Sequence, residues 1–398
     1  MNKKVAVTGM GIISAIGKNV EENYHSLIHQ KHGLSRLENF ESIHHDQIFV
    51  GEIKMKNTEL ATFLNLSPNH TFSRTALLGL WAVKEALKNA NCENLNDGYR
   101  SGFISSTSVG GMDRTEHFFL DEKITDEVKG FIKSHDAGAS SNQIAHEIGL
   151  NGFVSTISTA CSSAANAIMH GARLIKAGKL DRVIVGGTDA LSKFTLNGFK
   201  SLMILTDEFN QPFDENRKGL NLGEAAAYLV LESEEIIQQQ NKTPIAYLSG
   251  YGNANDAFHQ TASSENGEGA FLAMKKALQI ADFQPSEIDY INVHGTATQN
   301  NDLTEGRALQ RIFENHLPDF SSTKPYTGHT LAAAAAVEAV FSILSIQHHM
   351  VYPNLNFQQP ISELDLRPII ATKSKTIQYV LSNSFGFGGN CSTLIFSK

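Results

Sequence analysis

The chain reads as an α/β protein in which one strand–turn–helix–strand module occurs twice. The first copy begins with β-prone Phe153-Val154-Ser155-Thr156-Ile157, which stops at Ser158-Thr159-Ala160-Cys161. Small helix-compatible residues follow (Ala164, Ala165, Ala167, Ile168, Ala172, Ile175), then the apolar stretch Arg182-Val183-Ile184-Val185-Gly186-Gly187. A second copy repeats that order: Ser321-Ser322-Thr323-Lys324 through Thr327-Gly328-His329, a helix over 331–346, and Tyr379-Val380-Leu381-Ser382-Asn383-Ser384. His329 falls where Cys161 falls. The 331–346 helix has almost no polar face, so it must be enclosed on all sides, here between two sheets. Glu338, Ser342 and Ser345 interrupt it and no 18-residue apolar run is evident, so it reads as core rather than as a membrane span.

Lys3-Lys4 before Val5-Ala6-Val7 resembles the start of a signal peptide, but no small-residue cleavage site follows, and the alternation reads as a buried first strand. Gly9-Met10-Gly11-Ile12-Ile13-Ser14 half-matches a dinucleotide loop; the third glycine is missing, as is an acidic partner about 20 residues on. Residues 18–60 read as irregular and polar, and their histidines (His25, His29, His32, His44, His45) as surface rather than metal ligands. Helical period runs from Ser73 to Asn89 through Ala76, Leu77, Leu80, Val83, Ala86 and Leu87. Gly102-Phe103-Ile104-Ser105-Ser106 then predicts a strand, and Val109-Gly110-Gly111 a loop.

With 398 residues and 41% apolar content the chain can bury a large core. A net charge of −8 without a basic cluster argues against sequence-independent nucleic-acid binding. Three cysteines without CxxC spacing argue against a disulfide framework and a zinc site, and point to a reducing cytoplasm.

Two places carry chemistry. Cys161 stands at a strand-to-helix turn, where unpaired N–H groups and the positive end of the helix dipole favour a thiolate; activation of the sulfur by the helix N-terminus is therefore expected. The stretch Ile288-Asp289-Tyr290-Ile291-Asn292-Val293-His294-Gly295-Thr296-Ala297-Thr298 is a buried strand that delivers a histidine into a Gly/Thr turn. Two histidines at strand ends, beside glycine and threonine, together with a cysteine at a helix start suit nucleophilic catalysis. Lys324, five residues before His329, either biases the local field or pairs with Glu338.

The motifs Thr159-Ala160-Cys161-Ser162-Ser163, His294-Gly295-Thr296-Ala297-Thr298, Thr323-Lys324 with Thr327-Gly328-His329, and Asn383-Ser384-Phe385-Gly386-Phe387-Gly388-Gly389 resemble those of elongating β-ketoacyl-acyl-carrier-protein synthases. The resemblance spans the chain from its Val-Thr-Gly-Met-Gly opening at 7–11. It implies the thiolase-like fold, a five-layer αβαβα sandwich of two pseudo-symmetric halves, with Cys161 in 1–241 and the two histidines in 242–398. It implies that Cys161 accepts the acyl group, that His294 and His329 handle a malonyl group, that Lys324 supports the site, and that Phe387, with Gly388, forms the gate and oxyanion loop. Thr296 and Thr298 would bond a phosphopantetheine arm, and Val109 and Phe199 would wall the acyl pocket. No cofactor is expected beyond substrates on the phosphopantetheine of an acyl carrier protein. No metal is expected either, other than a monovalent cation near Asn292, Glu338, Ser382 and Asn383. The implied partners are the carrier protein, for which Arg74 and Lys200 are candidate docking residues, and a second copy in a homodimer or a chain-length-factor-like homologue in a heterodimer.

A degradative thiolase fits less well: its Asn-Glu-Ala-Phe element is replaced by His294-Gly295-Thr296, and Cys391 follows the glycine run instead of preceding it, so Cys391 reads as packing. A starter-unit synthase would pair His with Asn, which His329 contradicts, and a chain-length factor typically lacks the cysteine. Asn390-Cys391 after Gly389, Ala332 and Ala335 in the helix after His329, and Asn300-Asn301-Asp302 depart from the usual elongating pattern. These departures fit a specialised aryl-polyene-like or polyketide pathway as well as fatty-acid synthesis.

Overall fold

The computed structural model describes residues 5–118 and 132–398; the Lys3-Lys4 pair lies outside them. Ten strands form the main sheet: β1 (Val5–Ser14), β2 (Ser101–Ser106), β3 (Phe153–Ile157), β4 (Arg182–Asp189), β5 (Ala225–Ser233), β6 (Ala246–Asn255), β7 (Tyr290–Asn292), β8 (Asp319–Ser321), β9 (Tyr379–Gly386) and β10 (Asn390–Ser397). Their order is β8-β7-β9-β10-β6-β1-β5-β4-β2-β3. It divides at the β6–β1 junction, where only Ala6↔Tyr247 and Val7↔Ala246 pair. On either side the order is the same: β1-β5-β4-β2-β3 in the first half and β6-β10-β9-β7-β8 in the second, each strand matching the one five places later. Pairing repeats as well, parallel for β4-β2-β3 and β9-β7-β8 and antiparallel elsewhere within each half.

The helices explain why two sheets rather than one flat one form. Among α1 (Arg74–Asn89), α2 (Ala137–Glu147), α3 (Ser163–Lys176), α4 (Glu268–Ala281), α5 (Gln299–Phe313) and α6 (Ala334–His348), α3 and α6 lie in the middle. Both sheets close on them in one continuous core. A second core forms where α1 covers the outer face of the first sheet, and a third where α4 and α5 cover the second. That is the five-layer sandwich the resemblance implies, and it encloses the central helix between two sheets, as a helix apolar all round requires. Residues 331–348 are the one stretch, among the described residues, long and apolar enough to cross a membrane, contrary to the expectation that no such run exists; it is buried in this central layer.

One local expectation is borne out and two change. Gly9 and Gly11 sit inside β1, where a Cβ would lie 2.4 Å from the Ala86 carbonyl oxygen and 2.1 Å from that of Ala82, so these glycines let α1 approach the strand and form no nucleotide loop. The segment expected to be irregular holds two short helices, Val20–Ile28, capped by Asn19, and Asn57–Phe63. The 331–346 helix begins with a tight 3₁₀ turn at Leu331–Ala333.

Candidate active site

The repeat places Cys161 just before α3 and His329 just before α6, at equivalent ends of the two halves. The Cys161 turn is held by strained backbone: Ala160 has φ +52°, a conformation that non-glycine residues adopt only when their surroundings impose it. Ser163 Oγ accepts the Thr159 N–H at 2.8 Å and donates to the Ala160 carbonyl at 2.5 Å, locking the turn.

The N–H groups of Phe387 and of Cys161 itself both bear on the sulfur. Gly386 makes this convergence possible, because a Cβ there would stand 2.7 Å from Thr159 O and 3.2 Å from Cys161 N. Beyond it the loop turns through Gly388 at φ +81°. Two amides converging beside a sulfur can hold an oxyanion that develops there.

The expected thiolate is not what the resting site favours. Helix α3 starts at Ser163, two residues past the sulfur, and Cys161 is 6% exposed. Burial is the largest influence and pushes its thiol up to about 12, against the opposing pull of Lys324 and the two amides. The sulfur is therefore a thiol at rest, and its use as a nucleophile requires an acceptor for the proton.

His294 follows β7 and is positioned from below by Glu305 on α5, whose carboxylate accepts the His294 N–H at 2.9 Å and the Gly295 N–H at 2.8 Å. Lys324 Nζ lies 3.3 Å from His294 Nδ1, donates to the His294 carbonyl at 2.5 Å, and is paired with Glu338. An ammonium offers only donors, so Nδ1 accepts and the ring proton sits on Nε2. Lys324 thus does both things anticipated for it, pairing with Glu338 and biasing the local field at His294 and His329, and it also fixes the His294 tautomer, which was not anticipated. Ser384 Oγ donates to the other Glu338 oxygen at 3.2 Å.

The His329 ring stands edge-on to His294, with centroids 5.5 Å apart and planes at 87°. Its main chain is clamped by Asn221 O and Gly223 N, and its Nδ1 has no hydrogen-bond partner among the described residues. Burial, then the Lys324 charge, hold both rings well below the usual histidine value of 6.5. Both are neutral at pH 7 and able to donate to a developing enolate. The malonyl decarboxylation that the resemblance implies for this pair is accordingly expected to show no titration near pH 6.5; a pH–rate profile with its midpoint there would contradict the assignment.

Two cavities of about 280 Å³ each meet at the sulfur. One is lined by Cys161, His294, His329, Thr296, Thr298 and Phe387; the other by Cys161, Val109, Phe199, Leu331 and Phe387. Phe387 stands on the boundary, its ring stacked on Phe199 at 6.0 Å and 22°. The Thr296 and Thr298 hydroxyls bond each other at 2.9 Å on the wall of the first cavity.

Other expectations fare differently. Arg74 is no docking residue: it is 6% exposed and forks onto Glu224 at 2.9 and 2.6 Å, a pair inside the protein. Lys200 is half-buried on the helix Lys193–Ser201, next to Phe199. In the cation cluster, Asn292 and Ser382 face each other across β7 and β9, but the Asn383 side chain points the other way, donating to Glu305 at 3.1 Å and accepting from Thr393 at 2.8 Å. Alternation along a strand puts neighbours 382 and 383 on opposite faces. Cys391 is buried within the core over the second sheet and forms part of the first cavity's wall.

Sequence reasoning missed three buried acids. Glu305 is one; burial raises it to about 7. Asp302 accepts the N–H groups of Ala297 and Phe213 and so fixes the Thr296–Thr298 turn. Asp189, at the end of β4, accepts from Thr107 Oγ1, Ser108 N and Ala332 N, joining the Val109 loop to the start of the helix after His329. The only signal for Asp302 was its place in the departing Asn300-Asn301-Asp302 turn.

Comparison with known proteins agrees with this geometry. The β-ketoacyl synthase N-terminal domain family matches residues 2–236, and the β-ketoacyl synthase C-terminal domain family residues 245–358. A 3-oxoacyl-[acyl-carrier-protein] synthase 2 from Staphylococcus aureus (strain COL) is 32% identical, covering 100% of this chain and 99% of the relative. One of the same description from Vibrio cholerae serotype O1 is also 32% identical over the same shares. Among solved structures, the ishigamide ketosynthase/chain length factor superposes with a TM-score of 0.93 at 28% identity, covering 100% of both chains. A ketosynthase in complex with its chain length factor from Xenorhabdus doucetiae gives 0.86 at 29% identity, over 99% of this chain and 98% of that one. With both halves of its length matched and its nucleophile, histidine pair and glycine loop gathered at one point, the chain belongs to the β-ketoacyl synthase family.

Proposed function

We propose that this enzyme is an acyltransferase, a 3-oxoacyl-[acyl-carrier-protein] synthase. It takes an acyl group onto Cys161, decarboxylates malonyl-acyl carrier protein, and joins the two in a Claisen condensation that lengthens the chain by two carbons for fatty-acid synthesis. The observation that carries this reading is the neutral histidine pair facing a buried cysteine in one cavity, with the His294 tautomer set by Lys324. Loss of carbon dioxide leaves an enolate on the thioester oxygen, and the two histidines supply the donors for it. The amides of Cys161 and Phe387 then hold the tetrahedral oxyanion of the acyl thioester.

Phe387, between the two cavities, separates the acyl chain from the arriving malonyl arm. That arm is phosphopantetheine on a carrier protein and enters past Thr296 and Thr298, with Lys200 a docking contact for the acidic carrier. No cofactor takes part. Asn292, Ser382 and Glu338 could hold a monovalent cation as a structural element. The chain works in the cytoplasm, in keeping with three free buried cysteines. The test is turnover of purified protein with acyl and malonyl carrier protein, followed by product mass; condensation on carrier substrates supports the reading, and acyl transfer to coenzyme A without carbon dioxide release points to a thiolase instead.

A second reading has specific support. Whole-chain likeness to the ishigamide and Xenorhabdus ketosynthases, each described with a chain length factor, fits a specialised polyene or polyketide ketosynthase. Matched saturated and dienoyl carriers in single-turnover acylation separate the two, since a preference above about 5-fold corresponds to ~1 kcal/mol of discrimination. The assembly is a two-fold homodimer under the first reading and a heterodimer under the second. Light scattering is expected to give twice the chain mass of 43.5 kDa; a monomer that pairs only on addition of a homologous subunit favours the heterodimer.

A further inference from the structure

Asn390 opens β10 immediately after the Phe387–Gly389 turn and faces Gly386 across the hairpin. Its side-chain oxygen accepts three hydrogen bonds from three separate elements: Ser162 Oγ at 2.8 Å in the nucleophile turn, Asn166 Nδ2 at 2.9 Å on α3, and Asn253 Nδ2 at 2.8 Å on β6. The donors are themselves fixed. Asn166 Nδ2 also reaches Thr159 Oγ1 at 2.9 Å, two residues before the nucleophile, while its Oδ1 accepts from Asn253 Nδ2 at 3.1 Å and Ser392 Oγ at 3.3 Å. Ser162 Oγ lies 2.8 Å from Thr159 O. Three donors share one carbonyl oxygen with two lone pairs, the Ser162 hydroxyl proton being divided between it and Thr159 O, and the amide orientations on both sides follow from one network.

The network joins two pieces of backbone whose spacing matters. One N–H of the oxyanion pair comes from Cys161 and the other from Phe387, on opposite sides of the Asn390 tie. Nothing covalent relates the two within the site. Resting on the proposed function, we propose that Asn390 is a positioning residue: its carboxamide oxygen docks the Phe387 loop onto the Cys161 turn and so sets the oxyanion hole used in acyl transfer. Decarboxylation, which depends on His294 and His329, does not pass through this tie.

The test compares half-reactions in Asn390→Ala and Asn253→Ala against the unmodified protein. Acylation of Cys161 by acyl carrier protein is read by intact mass in single turnover, carbon dioxide release from malonyl carrier protein separately, and folding by thermal midpoint. Asn390→Ala is expected to acylate roughly 10²-fold more slowly, the scale of an ångström-sized misplacement of reacting groups, with carbon dioxide release held within about 3-fold. Equal loss of both half-reactions, or unchanged acylation in a folded variant, overturns the proposal. Should Asn390→Ala fail to fold, Asn253→Ala decides: its side chain is exposed and two donors remain, so acylation is expected to slow by about 3-fold, the worth of part of one hydrogen bond, and no slowing overturns the tie. If the unmodified protein neither acylates nor releases carbon dioxide, the functional reading falls and the proposal with it, a result distinct from a failure of Asn390 alone.

Discussion

Cys161→Ala is expected to abolish acyl-enzyme formation and condensation while carbon dioxide release from malonyl carrier protein survives. The Cys161 sulfur stands where the two cavities meet, between two amides that would hold its oxyanion. The malonyl group needs none of this; it needs a site for its arm and two donors for its enolate oxygen. Removing the sulfur also leaves the Lys324–Glu338 pair and the Glu305 anchor of His294 untouched. Intact mass for the acyl adduct and a carbon dioxide assay on the same preparation check both halves. Loss of both activities in a folded variant that still binds carrier would show that the half-reactions share the cysteine.

Lys324→Ala should be the most damaging change that touches no substrate. Two effects combine. The Glu338 carboxylate, 2% exposed, loses the lysine, and breaking a buried pair by removing one partner typically costs about 3–5 kcal/mol of stability. His294 also loses the contact that assigns its proton to Nε2, so a fraction of molecules present an acceptor where the enolate needs a donor. Decarboxylation is expected to fall by roughly 10²-fold or more, the usual worth of one oxyanion donor. A lowered urea midpoint with unchanged carbon dioxide release per folded molecule would reduce Lys324 to a purely structural role. Lys324→Arg keeps a donor for Glu338 and is expected to recover stability before rate, because the guanidinium fork does not match the compact ammonium between three acceptors.

The residues that announced themselves in the sequence were those whose local backbone is constrained by their own neighbours. Cys161 and His294 each follow a strand into a turn of small residues, whereas His329, expected at a strand end, follows the short helix Lys324–Thr327; the periodicity of α1 and the all-apolar character of α6 required a helix beside or between sheets. The repeat was legible for the same reason, down to the match of His329 with Cys161. What stayed hidden depends on distant partners. Arg74 reads as a surface cation until Glu224, 150 positions away, is seen beside it. The thiol of Cys161 follows from how deeply the whole sandwich buries it, which outweighs a helix end two residues distant. Glu305 looks like one more charge on an amphipathic helix, although the backbone of His294 hangs from it. Short helices such as Val20–Ile28 carry too few turns for their period to stand out against polar residues.

Acyl transfer and decarboxylation rest on different residues, and His294→Ala examines that separation most directly, since the His294 proton is the one whose place the structure fixes. Incubated with acyl carrier protein, the variant is expected to reach one acyl group on Cys161 per chain, read by intact mass, while carbon dioxide release from malonyl carrier protein slows by roughly 10² to 10³. A variant that stays unacylated, or that decarboxylates at the unmodified rate, would contradict the assignment of His294 as an enolate donor with no part in activating the thiol.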